Sequence, residues 1–149
     1  MRKTVVVALM TGVMILTPAL SRGKGSEAVE VKNAWVRGTV PGQTTTGAFM
    51  TLRSRENAKV VGVATPVARR AEIHASEMKD GIMRMRPVPQ VTLPAGKDVP
   101  LQGDLHVMLM EVTHPLGAGE TVPLTVTVED AKGQRSSVEV RAPVRPLGQ

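Results

Sequence analysis

Cysteine is missing from all 149 residues, and with it go disulfides, zinc ribbons, iron–sulfur clusters, a thiol nucleophile and the copper–thiolate bond of a blue-copper centre. Aromatic side chains are almost as scarce: one Trp, one Phe and no Tyr. Stacking platforms for single-stranded nucleic acid or sugar rings are therefore lacking, and the core has to be aliphatic. Concentrated charge is lacking too. Lys and Arg outnumber Asp and Glu by 19 to 13, yet pairs such as Arg69 with Arg70 or Arg84 with Arg86 are too scattered to track a phosphate backbone, so no nucleic-acid partner is expected. Without Cys, Tyr or a clear Ser/His/Asp set, the chain is not expected to be an enzyme. Its hydrophobic and charged fractions, 42% and 21%, exclude both a disordered tail and a membrane bundle, and its length suits one domain.

Residues 1–20 read as a cleavable secretory signal: Arg2 and Lys3 are basic, Val5 to Leu16 are mostly apolar, and Thr17-Pro18-Ala19 is a small-residue stretch suited to cleavage. The apolar run spans only about 18 Å as helix against about 30 Å of hydrocarbon. No stable membrane insertion is expected after cleavage, and no cysteine is available for lipid attachment, so the expected location is the periplasm or the exterior.

From Ser26 onward, runs rich in Val, Thr and Leu alternate with turn residues, and no stretch of a dozen residues keeps a clean helical period. The pattern predicts an all-β protein, a single β-sandwich of about eight strands over residues 27–142, followed by a short frayed tail, 143–149. The predicted strands are Val29 to Arg37, Gly47 to Ser54, Lys59 to Ala64, Ala71 to Glu77, Ile82 to Val88, Leu105 to Thr113, Thr121 to Val128 and Arg135 to Ala142.

The chemistry concentrates between Ile73 and Met110. In a strand, residues two apart share a face. His106, Met108 and Met110 therefore lie on one side of their strand, while Leu105, Val107 and Leu109 form the core side. Ile73 to Val88 reads as a hairpin with Met78-Lys79-Asp80-Gly81 at its tip, because Asp-Gly favours a turn. A loop of those four residues sets Ser76 against Met83 and His74 against Met85; a shift of two would set Ser76 against Met85 instead. Imidazoles and thioethers are neutral and relatively soft, a donor set suited to Cu(I) rather than to Ca, Mg or the usual Zn(II) site. The competing reading is that methionines fill gaps in an aromatic-poor core and the histidines, including His114 before Pro115, are ordinary surface groups.

These residues resemble the periplasmic copper chaperones called PCu(A)C: His74, then Met85 after ten residues, then His106-Val107-Met108 after twenty more. Asn33-Ala34-Trp35-Val36-Arg37, Gly47-Ala48-Phe49-Met50 and Asp80-Gly81-Ile82-Met83-Arg84-Met85-Arg86-Pro87 extend the likeness over roughly Glu27 to Arg141. The resemblance implies a cupredoxin-like or immunoglobulin-like sandwich and Cu(I) held by His74, Met85, His106 and Met108. It further implies that copper is passed towards the CuA centre of cytochrome c oxidase subunit II, often alongside a Sco-type protein; the protein itself is expected to be a monomer. Two departures stand out. Ala75 occupies a position where many relatives have Met, and the C-terminus lacks the His- and Met-rich extension of some relatives. Periplasmic copper storage or resistance would use the same residues, and a metal-free interaction module would use none of them.

Overall fold

The computed structural model describes residues 28–148; the expected leader, 1–20, lies outside them. Ten strands follow one another in these residues, and no helix occurs among them. They are β1 (Val29–Arg37), β2 (Thr45–Ser54), β3 (Ala58–Ala64), β4 (Ala68–Lys79), β5 (Ile82–Pro87), β6 (Val91–Leu93), β7 (Asp98–Leu101), β8 (Leu105–Val112), β9 (Thr121–Asp130) and β10 (Arg135–Arg145). Their order across the hydrogen-bonded path is β5-β4-β8-β2-β1-β10-β9-β3-β6, with β7 paired to β2.

The all-β expectation holds, with ten strands rather than eight. The two extra strands, β6 and β7, have three and four residues. Pro94 stops the first and Pro100 interrupts the second, so neither carries an alternating pattern long enough to read. At the C-terminus β10 runs three residues beyond Ala142. Pro143, Val144 and Arg145, expected in the tail, are its last residues. Val144 is buried, and Val144 and Arg145 pair in parallel with Val36 and Arg37 of β1. Arg135 to Pro143 pair with β9, so one strand joins both parts of the sheet path.

Period-two alternation builds the core. Ala48, Met50 and Leu52 of β2, Val107 and Leu109 of β8, and Val122, Leu124 and Val126 of β9 are all fully buried and belong to one cluster. The core is aliphatic, as the shortage of rings demands. Both aromatics lie on the outer face instead. Phe49 alternates out of step with Ala48 and Met50. Trp35 is turned outward by a bulge in β1, where the register with β2 shifts between Lys32 and Trp35 and Asn33 adopts a φ of 52°. A bulge of this kind reverses the alternation, moving the inward positions from Val29 and Val31 to Ala34 and Val36.

Methionine packing explains little. Of the described methionines, Met50 alone is in the core; Met78, Met83 and Met85 are 64%, 60% and 56% exposed. Each exposed side chain forgoes roughly 1.5–3 kcal/mol that full burial would bring.

His114 serves the loop after β8. Its Nε2 lies 2.6 Å from Glu120 Oε1, and the Gly117 N–H donates to Glu120 Oε2 at 3.2 Å. Between them Leu116 is buried, its N–H donating to Thr39 Oγ1 at 2.8 Å. The His114 hydrogen bond holds the Glu120 carboxyl below its ordinary 4.5, assisted by Gly117 and opposed by partial burial. A depressed folded value gives stability that is present above 4.5 and lost as pH falls through the folded pKa. Glu120→Gln should therefore lower stability at neutral pH by up to about 1 kcal/mol, the range for a partly exposed pair. Thermal melts of the two proteins should converge once pH drops below the folded value. A gap that persisted into strong acid would mean that the carboxylate charge plays no part.

Candidate metal centre

The outer face of the β5-β4-β8-β2 region is fixed by what its strands bury. With Val107 and Leu109 inward and fully buried, β8 turns His106, Met108 and Met110 outward, as their spacing predicts. In β4 Ile73 is buried, so Glu72, His74, Ser76 and Met78 face outward with them. The β4–β8 register sets His74 directly across from His106 and Glu72 across from Met108. The two imidazole centres are 6.3 Å apart, with ring planes inclined at 50°. Metal–imidazole bonds of about 2 Å leave two rings on one ion with centres up to about 6 Å apart, so this spacing is at the wide end of what one ion can bridge.

The β4–β5 hairpin differs from the four-residue loop expected. Its turn is the two residues Asp80 and Gly81, with φ of 53° and 75°. This positive pair is the type I′ geometry that matches the twist of the flanking strands. Lys79 then pairs with Ile82, and the register moves by two: Met85 faces Ser76, and His74 faces Pro87. Met85 therefore reaches the site from beside Ser76, diagonal to His74.

Three of the four expected ligands, Met85, His106 and Met108, line one open groove of about 380 Å³. Arg37, Thr46, Gly47, Phe49 and Ser76 complete much of its wall. His74 is not among the lining residues and sits beside the groove, its side chain 15% exposed. Gly47 lies across from Met108, and a Cβ there would come within 2.8 Å of the Phe49 ring; glycine is what lets that ring lie flat along the groove wall. Phe49 stacks on Trp35 with ring centres 4.4 Å apart. The guanidinium of Arg37 lies 5.4 Å from the Phe49 ring centre and that of Arg145 lies 4.7 Å from the Trp35 ring centre. One wall is thus a rigid aromatic and cationic stack, while Met85 stands on an edge strand with no buried residue.

Each imidazole has one nitrogen engaged. His106 is itself buried, 7% exposed, and its Nδ1 lies 3.3 Å from the Gly103 carbonyl oxygen, a bond that leaves Nε2 with the free lone pair. For His74 the engaged atom is Nε2, 3.0 Å from Glu72 Oε2, which leaves Nδ1. Glu72 is also 3.8 Å from Arg70, whose Nε binds Glu111 at 3.1 Å. Sequence reading missed Glu72, although its place two residues before His74 put both on one face. Among the described residues no three His, Asp or Glu side chains gather around a common point. A metal held here would take its remaining donors from thioethers, which favours a soft ion.

Residues 29–144 match the LpqE-like family. A protein of Leifsonia xyli subsp. xyli that carries a lipoprotein name, Lxx21020, is 29% identical over 148 residues, covering 95% of this chain and 89% of its own length. DR1885 from Deinococcus radiodurans is similar in its apo structure, at 32% identity, 97% of each chain and a TM-score of 0.60. Its Cu(I) structure is 33% identical over 87% of each chain, with a TM-score of 0.57. The copper-bound PCuAC domain of PmoF2, at 19% identity, shares the fold with a TM-score of 0.64, over 80% of this chain and 93% of that domain. The chain therefore belongs to the LpqE-like family and has the fold of the PCuAC domains.

Proposed function

We propose that this protein is a Cu(I) chaperone acting outside the cytoplasm, its cargo held by His74, Met85, His106 and Met108. The observation that carries this reading is the convergence of Met85, His106 and Met108 on one groove, with His74 directly across from His106. Kinship with proteins whose structures contain copper, DR1885 with Cu(I) and a PCuAC domain, supports a copper chaperone, and the secretory character of residues 1–20 supports the location.

The donor set suits delivery. Two imidazoles and two thioethers add no charge, so the bound ion keeps its single positive charge in an open groove. Thiolates bind Cu(I) more strongly than thioethers do. An acceptor can enter from solvent, displace the thioether of exposed Met85 first, and take the ion in steps. The CuA domain of cytochrome c oxidase subunit II, or a Sco-type protein, is such an acceptor. The direct test mixes the copper-loaded protein with a reduced CuA-type domain under anaerobic conditions and measures copper on each after separation. Most of the copper is expected on the acceptor. Copper that stays behind, with the acceptor intact and reduced, would point to storage.

A further inference from the structure

We propose that Met78, Met83 and Met85 form a second, weaker Cu(I) site on the β4–β5 hairpin, a landing stage sharing Met85 with the principal site. This rests on the chaperone reading, because it explains how cargo arrives and leaves. Of the six large hydrophobic side chains most exposed on the described surface, four (Met78, Ile82, Met83 and Met85) belong to this one hairpin. Three of those four are thioethers, and the register puts all three on the same face. Met78 pairs with Met83, and Met85 follows Met83 by two residues opposite Ser76. Opposed side chains have Cβ atoms about 5 Å apart, and neighbours two apart on a strand lie about 6.6 Å apart. The three rotatable bonds of each Met allow its sulfur to swing several ångströms towards a common point.

Between Ser76 and Met85 the strand charges nearest the methionines are kept off this face. Glu77 pairs with Arg84, and Arg86 Nε reaches Glu77 Oε2 at 3.3 Å, all on strand positions of opposite parity to the methionines. Ser76 is the polar side chain between them and His74. Three neutral sulfurs form a site for a soft monovalent ion and a poor one for Zn(II), Ca or Mg. Because Met85 belongs to both sets, an ion can pass between them without ever being free of protein ligands.

The test uses protein labelled with ¹³C at the methionine methyls, titrated anaerobically with Cu(I) and, in parallel, with redox-inert Ag(I). The first equivalent should shift the Met85 and Met108 methyls. Because the first ion holds the shared Met85, the second should be held by Met78 and Met83, shifting both with at least tenfold weaker affinity, while buried Met50 stays unmoved throughout. The Met78→Leu/Met83→Leu protein, altered only at exposed positions, should keep the first equivalent, lose the second, and load copper at least threefold more slowly. A second equivalent that leaves Met78 and Met83 unshifted, or that survives their replacement, would overturn the hairpin site. A first equivalent that shifts Met78 and Met83 but not Met108 would instead overturn the principal site while upholding the hairpin.

Discussion

His106→Ala should weaken Cu(I) binding by more than a hundredfold, measured by competition with a chromophoric Cu(I) chelator. The residue is one of the two imidazoles in the proposed donor set, buried in the groove wall with Nδ1 3.3 Å from the Gly103 carbonyl oxygen, so its loss would leave His74 as the one imidazole of that set. Loss of a mere supporting partner typically costs about 10- to 100-fold in metal affinity, and loss of a ligand should exceed that. Met108→Leu should also weaken binding sharply, since leucine preserves volume but offers no sulfur. Both side chains lie off the core face of β8, so the metal-free proteins should still fold; Met108→Leu should melt close to the parent, while His106→Ala, which removes a buried side chain and its bond to Gly103, should melt at a lower temperature. Unchanged Cu(I) affinity in the His106→Ala protein would remove this groove as the copper site.

Glu72→Ala should lower Cu(I) affinity by about 10- to 100-fold, the range expected for a group that orients a ligating imidazole. With Nε2 of His74 donating to the Glu72 carboxylate, the ring is held in the tautomer whose free lone pair is on Nδ1, the atom the proposed site would use. Glu72→Gln retains an acceptor oxygen at that spot and should recover most of the loss. Nitrogen-15 NMR of the histidine rings then separates the roles: in the loaded protein His74 should coordinate through Nδ1 and His106 through Nε2. If the alanine variant binds copper as tightly as the parent, or His74 coordinates through Nε2, Glu72 does not orient the ring.

Local alternation made much of this legible before any coordinates. β1 begins and ends at Val29 and Arg37 as predicted, and the outward row of His106 and Met108 follows from the fully apolar set at Val107 and Leu109. What sequence could not resolve was register. The two-residue turn at Asp80-Gly81 and a four-residue loop from Met78 are both compatible with an Asp-Gly pair, and choosing between them moves Met85 from His74 to Ser76. The pairing of His74 with His106 depends on contact between β4 and β8, more than two dozen residues apart in sequence, and no local pattern encodes it. The outward turn of Trp35 depends on a bulge at Asn33, which simple alternation does not anticipate. Glu72 carries no such signal in sequence: a carboxylate is not a soft donor, and its hydrogen bond to His74 emerges only in three dimensions.

The two ends of the sheet path bear on self-association. β5 at one end pairs with β4 and leaves its other edge open, but it is six residues long, carries Arg84 and Arg86, and ends at Pro87. β6 at the other end has three residues and runs straight into Pro94. Short length, arginine and proline are the features that discourage a second copy from adding its strand to a free edge. The molecule can thus present bare methionine side chains to solvent next to an open backbone edge without that edge becoming a seed for fibrils.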